Sequence, residues 1–174
     1  LVVASLASCK KDENRVNYLG ASKPELSAST AGPILLTKAT ALQHAVTFSW
    51  TNPEYQFTTG ISSQDVTYYL QFDLAGANFG TPDNTSDIII SKDLGIDLND
   101  SVLNRSLAHI GLNGLEVDVP HDIEVRIKAV LRNDNLPVYS DPIRINGVTP
   151  YLDVAVPVPT TGNLYLVGSA SPGG

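Results

Sequence analysis

Apolar and polar residues alternate along several segments of this sequence, and the alternation constrains what the chain can fold into. Successive side chains of a β-strand point to opposite faces, so one face can meet a core while the other meets water. The pattern is longest over residues 122–131, where every second residue is apolar: Ile123, Val125, Ile127, Ala129 and Leu131. We therefore predict an all-β fold, an antiparallel β-sandwich of the immunoglobulin or fibronectin III type.

Other segments carry the same alternation over a shorter length. Two further strands are predicted over residues 44–50 and 65–73, with inward faces formed by Val46, Phe48, Trp50, Val66, Tyr68, Leu70 and Phe72. Short strands are expected at residues 24–29, 88–90 and 143–145. Loops are expected at residues 51–64 and 75–87, because both contain Pro and Gly.

One segment, residues 98–112, has helical spacing instead of strand spacing. Its apolar residues recur at Val102, Leu103, Leu107 and Ile110. Asn99 or Asp100 can cap the start of a helix, and Gly111 or Gly114 can end it. We predict a short helix that crosses between the two sheets.

Composition excludes some classes of function and leaves core burial as the source of stability. The formal net charge is −7, from 11 Lys and Arg against 18 Asp and Glu. No basic patch stands out, so a nucleic-acid partner is disfavoured. A single cysteine rules out an internal disulfide, so apolar burial alone must hold the sandwich together.

The N-terminal residues have the pattern of an export and anchoring signal. Residues 1–8 are apolar or small, as at the end of a secretory signal peptide. The stretch Leu6-Ala7-Ser8-Cys9 resembles a bacterial lipobox, which predicts lipidation at Cys9; the alternative is that Cys9 is a plain free thiol. A charged run, 10–13, follows at once and resembles signals for the outer face of the outer membrane. Residues 9–23 are predicted to be a lipidated flexible tether.

The remaining boundaries follow from proline content and one late apolar segment. We predict the sandwich over residues 24–149 and a semi-rigid linker over 150–162, which contains three prolines. Residues 163–174 contain one more strand, which cannot hold a core by itself. The alternative is that residues 164–167 add an edge strand to the sandwich.

The sequence offers no set of residues with catalytic or metal-binding spacing, so we expect no enzyme activity, no metal and no cofactor. Glycoside hydrolysis needs two carboxylates across a cleft, and the acids here are scattered. His44, His109 and His121 lie on separate predicted elements. The Asp97-x-Asn99-x-Ser101 spacing could suggest calcium, but the glycine and distal glutamate of an EF-hand are missing.

Aromatic residues are the remaining candidates for ligand contact. Trp50 falls on the inward face of its strand and is expected in the core. Tyr69 points outward, while Tyr55 and Phe57 lie in a predicted loop. These three are weak candidates for a sugar or protein contact, and otherwise no glycan-binding residue is expected within this chain.

Four short sequence segments occur in the same order as in a known family, which the chain therefore resembles. They are residues 21–26 (Ala-Ser-Lys-Pro-Glu-Leu), 48–50 (Phe-Ser-Trp), 68–73 with Gly76 and Phe79, and 124–129, after which Thr149-Pro150-Tyr151 closes the domain. Together with the lipobox, this order resembles the N-terminal domain of SusE/SusF-type outer-membrane lipoproteins. The resemblance implies a non-catalytic, lipid-anchored protein on the exterior of the outer membrane, within a system that uses starch or another polysaccharide. It also implies that the protein acts beside a TonB-dependent transporter and its partner lipoprotein, and that residues 163–174 are the start of a truncated glycan-binding domain.

Two other functions stay open at this point. An exposed edge strand or the 55–57 loop could bind a partner, which would make the chain a protein-interaction or adhesion module. The chain could also be an accessory domain of a secreted glycoside hydrolase.

Overall fold

Two packed β-sheets form the body of the protein in a computed structural model that describes residues 15–80, 85–110 and 114–153. With strands numbered along the chain, the larger sheet has the spatial order β3 (Ile34–Leu35), β12 (Ile143–Thr149), β10 (His121–Leu131), β7 (Thr67–Leu74) and β8 (Ser86–Ser91). A further strand, β11 (Asn135–Tyr139), pairs with the C-terminal end of β10. The smaller sheet has the order β2 (Leu26–Ala28), β4 (His44–Trp50) and β9 (Gly95–Asn99).

The inner faces of the two sheets pack against each other through large side chains. The inward residues of β4, β7 and β10 are all buried: Val46, Phe48, Trp50, Tyr68, Leu70, Phe72, Ile123, Val125, Ile127, Ala129 and Leu131. Phe48 of the smaller sheet meets Phe72 of the larger one edge to face, with ring centroids 6.0 Å apart. Trp50 and Tyr68 also meet across the sheets, with tilted rings whose centroids are 5.5 Å apart. The predicted all-β sandwich is confirmed.

One strand pairing departs from the predicted antiparallel arrangement. β3 runs parallel to β12, with Ile34 opposite Val148 and Leu35 opposite Thr149. The chain enters β3 through Gly32, which has φ +102° and lies so close to β12 that an added Cβ would sit 1.9 Å from the carbonyl oxygen of Asn146. A glycine is therefore required at the point where this edge strand joins the sheet.

A short helix covers part of the core, but its bounds differ from the prediction. Helix α1 runs from Asp100 to Leu107, and the Asn99 side chain caps it by accepting from the Val102 N–H at 2.9 Å. Leu98 belongs to β9 instead, because it pairs with β4. The helix ends without a glycine. After Leu107 the backbone forms the tighter hydrogen bonds of a 3₁₀ turn, in which the N–H groups of His109 and Ile110 donate to carbonyls three residues earlier. Of the predicted terminators, Gly111 lies outside the described residues and Gly114 lies beyond the end of the helix.

A small third sheet occupies segments that were predicted as tether and loop. It has the order β1 (Tyr18–Gly20), β5 (Gln56–Phe57) and β6 (Gly60–Ile61). The Tyr18 ring packs against Phe57 at 5.6 Å, and Ser22 donates its N–H to the Pro53 carbonyl at 2.7 Å. The 9–23 segment was predicted as a flexible tether; in the structure its part from Tyr18 to Ser22 is held against the sandwich by strand pairing, a ring contact and a hydrogen bond.

Several predictions fall outside the described residues. These are the signal remnant over 1–8, lipidation at Cys9, the charged run at 10–13, most of the 150–162 linker and the strand within 163–174. Among the residues that are described, no helix has the length and apolar character needed to cross a bilayer.

The close approach at Gly32 predicts a strong effect of a single methyl group. Gly32→Ala should lower the free energy of unfolding by about 3 kcal/mol or more, since the new Cβ meets a backbone oxygen. Gly60→Ala is the matched control: its φ is +111°, but nothing lies within 4 Å of an added Cβ. Strain alone should cost that variant about 1–2 kcal/mol. Urea unfolding measures both, and equal losses would contradict the assigned contact.

Candidate functional site

The side chains of the larger sheet that point away from the core form rows across its strands. One row contains Ile89, Tyr69, Lys128 and Tyr139, which lie opposite one another on β8, β7, β10 and β11. The next row contains Asp87, Gln71 and Arg126. Adjacent strands are about 4.8 Å apart, so the side chains of a row are in contact range. We call this surface the outer sheet face.

Arg126 occupies the centre of the outer sheet face and is held on several sides. Its guanidinium carbon lies 4.0 Å from the Phe79 ring centroid and 4.5 Å from that of Tyr139. Its Nε donates to Gln71 Oε1 at 2.8 Å, and Gln71 Nε2 donates to Asp87 Oδ1 at 3.1 Å. Burial lowers the pKa of Arg126 from its high ordinary value, but an arginine still carries its charge at neutral pH.

The Phe79 ring reaches Arg126 because a loop turns back over the sheet. Asp73 is only 3% exposed, and its carboxylate accepts from the backbone N–H groups of Leu74 (2.8 Å) and Phe79 (2.7 Å). Asn78 and Phe79 both have left-handed backbone, with φ of 59° and 52°. Such conformations cost free energy in residues other than glycine, so the buried carboxylate holds the loop in a strained shape.

Tyr69 lies on the outer sheet face as predicted, but both its polar and its apolar parts already have partners. Its hydroxyl donates to Asp134 Oδ1 at 2.8 Å, and the Lys128 Nζ lies 4.7 Å from its ring centroid. The hydrogen bond to Asp134 raises the pKa of Tyr69, and partial burial adds to the shift.

The other two aromatic candidates lie elsewhere and do not join Tyr69. Tyr55 is 1% exposed, and its hydroxyl lies within hydrogen-bond distance of the carbonyl oxygens of Ala129 (2.9 Å) and Leu136 (2.8 Å). Burial raises its pKa above the ordinary tyrosine value. A ring in this position cannot stack on a sugar. Phe57 is half-buried against Tyr18, and Trp50 lies in the core as expected, at 4% exposure.

One trio resembles a nucleophile–base–acid arrangement but has the wrong hydrogen bonds. Thr47 Oγ1 donates to Asp97 and lies 2.8 Å from His44 Nε2, on the exposed face of the smaller sheet. Activation of a hydroxyl requires it to donate to the imidazole, which here has only the donor role open to it. His109 and His121 lie on other elements, and no group of three or more metal-binding side chains occurs within 15–80, 85–110 and 114–153.

The grouping around Arg126 was not predicted from the sequence. The alternation placed Gln71 and Arg126 away from the core, but it gave no reason for a buried Asp73 on that side. The available signal was the spacing of Asp73, Gly76 and Phe79, where a turn-forming glycine separates an acid from an aromatic residue.

Comparison with known families now adds to this geometry. The model of the SusE outer membrane protein family matches residues 11–128, which is more than half of the chain. The chain belongs to the SusE outer membrane protein family. SusE membership assigns the protein to the outer membrane and to a Sus-type system. The matched range includes Gln71, Asp73, Phe79 and Arg126, whereas Asp134 and Tyr139, which also belong to the grouping on the outer sheet face, lie beyond it. A search of curated proteins finds no match to this chain.

Two core tyrosines of this SusE protein allow a test of the packing around Tyr55. Tyr55→Phe should lower the free energy of unfolding by about 1–2 kcal/mol, because it removes the one hydroxyl hydrogen that is shared between two carbonyl oxygens. The control is Tyr68→Phe: burial raises the pKa of Tyr68 to about 12, and its hydroxyl has no partner among the described residues. That variant should be neutral or slightly stabilised. Urea unfolding distinguishes them, and a larger loss for Tyr68→Phe would contradict the structure.

Proposed function

We propose that this SusE-family protein is a non-catalytic surface lipoprotein of a polysaccharide utilisation system, with starch or a similar glycan as ligand. In this proposal the sandwich is a spacer that presents glycan-binding domains located downstream, of which residues 163–174 are the start. The observation that carries the proposal is the placement of the aromatic residues. Trp50, Tyr55 and Tyr68 are buried in the core, and the rings on the outer sheet face already contact cations.

The proposed anchor is a lipid on Cys9. Two or three acyl chains give lasting membrane attachment where a single chain does not. Five residues lie between Cys9 and Arg15, the first described residue, and six fully extended Cα–Cα steps span at most about 20 Å. The sandwich would then stand close to the membrane, on the exterior side, beside a TonB-dependent transporter and its partner lipoprotein. No cofactor or nucleic acid is part of this function.

A second candidate function is a protein-interaction module. It is favoured by one observation, the ordered set of charged and aromatic side chains around Arg126 on the outer sheet face. The two functions are compatible, since a spacer within a surface assembly can also contact its neighbours.

Affinity electrophoresis tests the spacer role. This chain should migrate equally in gels with and without soluble starch. Trp50, Tyr55 and Tyr68 are buried, and the partly exposed rings of Tyr18 and Tyr139 already pack on Phe57 and Arg126. A longer form that carries the downstream domains should be retarded in the starch gel. A non-binding protein of similar size controls for sieving. Clear retardation of the present chain would contradict the spacer assignment.

A further inference from the structure

We propose that the side chains around Arg126 form a docking site for a protein partner that presents a carboxylate side chain. The site, which we call the Arg126 platform, contains Gln71, Phe79, Arg126, Lys128 and Tyr139. The inference goes beyond the proposed spacer function and does not depend on it, because it rests on side-chain geometry alone.

The guanidinium of Arg126 is fixed before any partner arrives. Phe79 and Tyr139 lie on it at 4.0 and 4.5 Å, and the Gln71 side chain holds Nε at 2.8 Å. An arginine on a protein surface usually has many rotamers, and binding must restrict them. Here the Arg126 side chain is already restricted in the free protein, so binding loses less rotamer entropy and the arginine can contribute more to the affinity.

Hydrogen-bond donors exceed free acceptors at the platform. Among the described residues, neither the terminal amino groups of Arg126 nor the Lys128 ammonium has a hydrogen-bond acceptor. Glu124 lies on the same face of β10, opposite Asp73 and Arg144, and the other three acids nearby accept from other groups. Asp73 accepts from two backbone N–H groups, Asp87 from Gln71, and Asp134 from Tyr69. A planar carboxylate matches the two-pronged donor edge of a guanidinium. The missing acceptor is therefore best supplied by an aspartate or glutamate.

The surroundings favour a protein over a glycan as the source of that carboxylate. A sugar needs an uncovered aromatic face, whereas the rings of Phe79 and Tyr139 already lie against Arg126. Tyrosine and arginine are among the residue types that contribute most to the binding free energy of protein interfaces. Apolar side chains around them exclude water from the contact. Tyr139 is 39% exposed, and Ile89, in the same row as Lys128, is 66% exposed.

The loop that delivers Phe79 gives independent support. Asn78 and Phe79 adopt consecutive left-handed conformations, and a buried carboxylate on Asp73 is needed to hold them. Strained backbone that the rest of the structure must stabilise is concentrated at functional sites. The strained backbone places the Phe79 ring over Arg126, as the second aromatic ring beside Tyr139.

A nuclear magnetic resonance titration of the full chain tests the platform. The probe is the blocked dipeptide N-acetyl-glutamyl-tyrosine amide, and the matched control is its glutaminyl counterpart at the same ionic strength. The glutamyl peptide should shift the Nε–Hε signal of Arg126 in a saturable manner, and the glutaminyl peptide should not. The signal of Arg144 should stay in place, because Arg144 is already paired with Asp122 at 2.6 Å.

Two variants and two sugars complete the experiment. Arg126→Lys keeps the positive charge but lacks the two-pronged donor edge of a guanidinium, so the glutamyl peptide should bind roughly tenfold more weakly. The shift of the Tyr139 amide signal measures this binding. Phe79→Leu removes one of the two rings over Arg126 and should weaken binding of the glutamyl peptide roughly threefold. Dispersed signals from the core establish that each variant is folded. Equal shifts from both peptides would overturn the proposal, as would tighter binding of trigalacturonic acid or maltohexaose, either of which would make the platform a glycan site.

Discussion

The packing of β4 against β7 is the contact on which the rest of the structure depends. Phe48 meets Phe72 and Trp50 meets Tyr68 across the two sheets, and no disulfide assists them, since the chain has one cysteine. Burial of large apolar side chains is then the main term that opposes chain entropy. This requirement places Phe48, Trp50, Tyr68 and Phe72 inside.

The consequences of that arrangement reach the functional surface. Within the described part of the chain, Trp50 and Tyr55 lie in the interior and are not open to a ligand. Their burial agrees with the proposed spacer role. The aromatic residues that remain on the outer sheet face surround Arg126 and Lys128. The proposed spacer role and the proposed docking platform are compatible, because they use opposite sides of one sheet. The packed side holds the sandwich together, and the outer side would contact the partner.

The sequence predicted the parts of the fold that have a regular period. Strand β4 and the inward residues of β7 and β10 followed from alternation, since one face of each strand had to be buried. Strands of two or three residues, as in the small third sheet, are too short to show a period. The helix bounds depended on whether Leu98 paired with β4, which is a tertiary contact. The Arg126 platform depended on left-handed backbone at Asn78 and Phe79 and on a buried acid, Asp73, which alternation cannot indicate.

Trp50 is the one tryptophan of the chain, so its fluorescence reports on the contact between the sheets without ambiguity. The account predicts blue-shifted emission that iodide does not quench and maltohexaose does not change, until urea unfolds the chain. The reason is that Trp50 is 4% exposed and lies against Tyr68. Red-shifted emission from the folded protein that iodide quenches and maltohexaose protects would show Trp50 on the surface as a sugar platform, and would contradict the central claim.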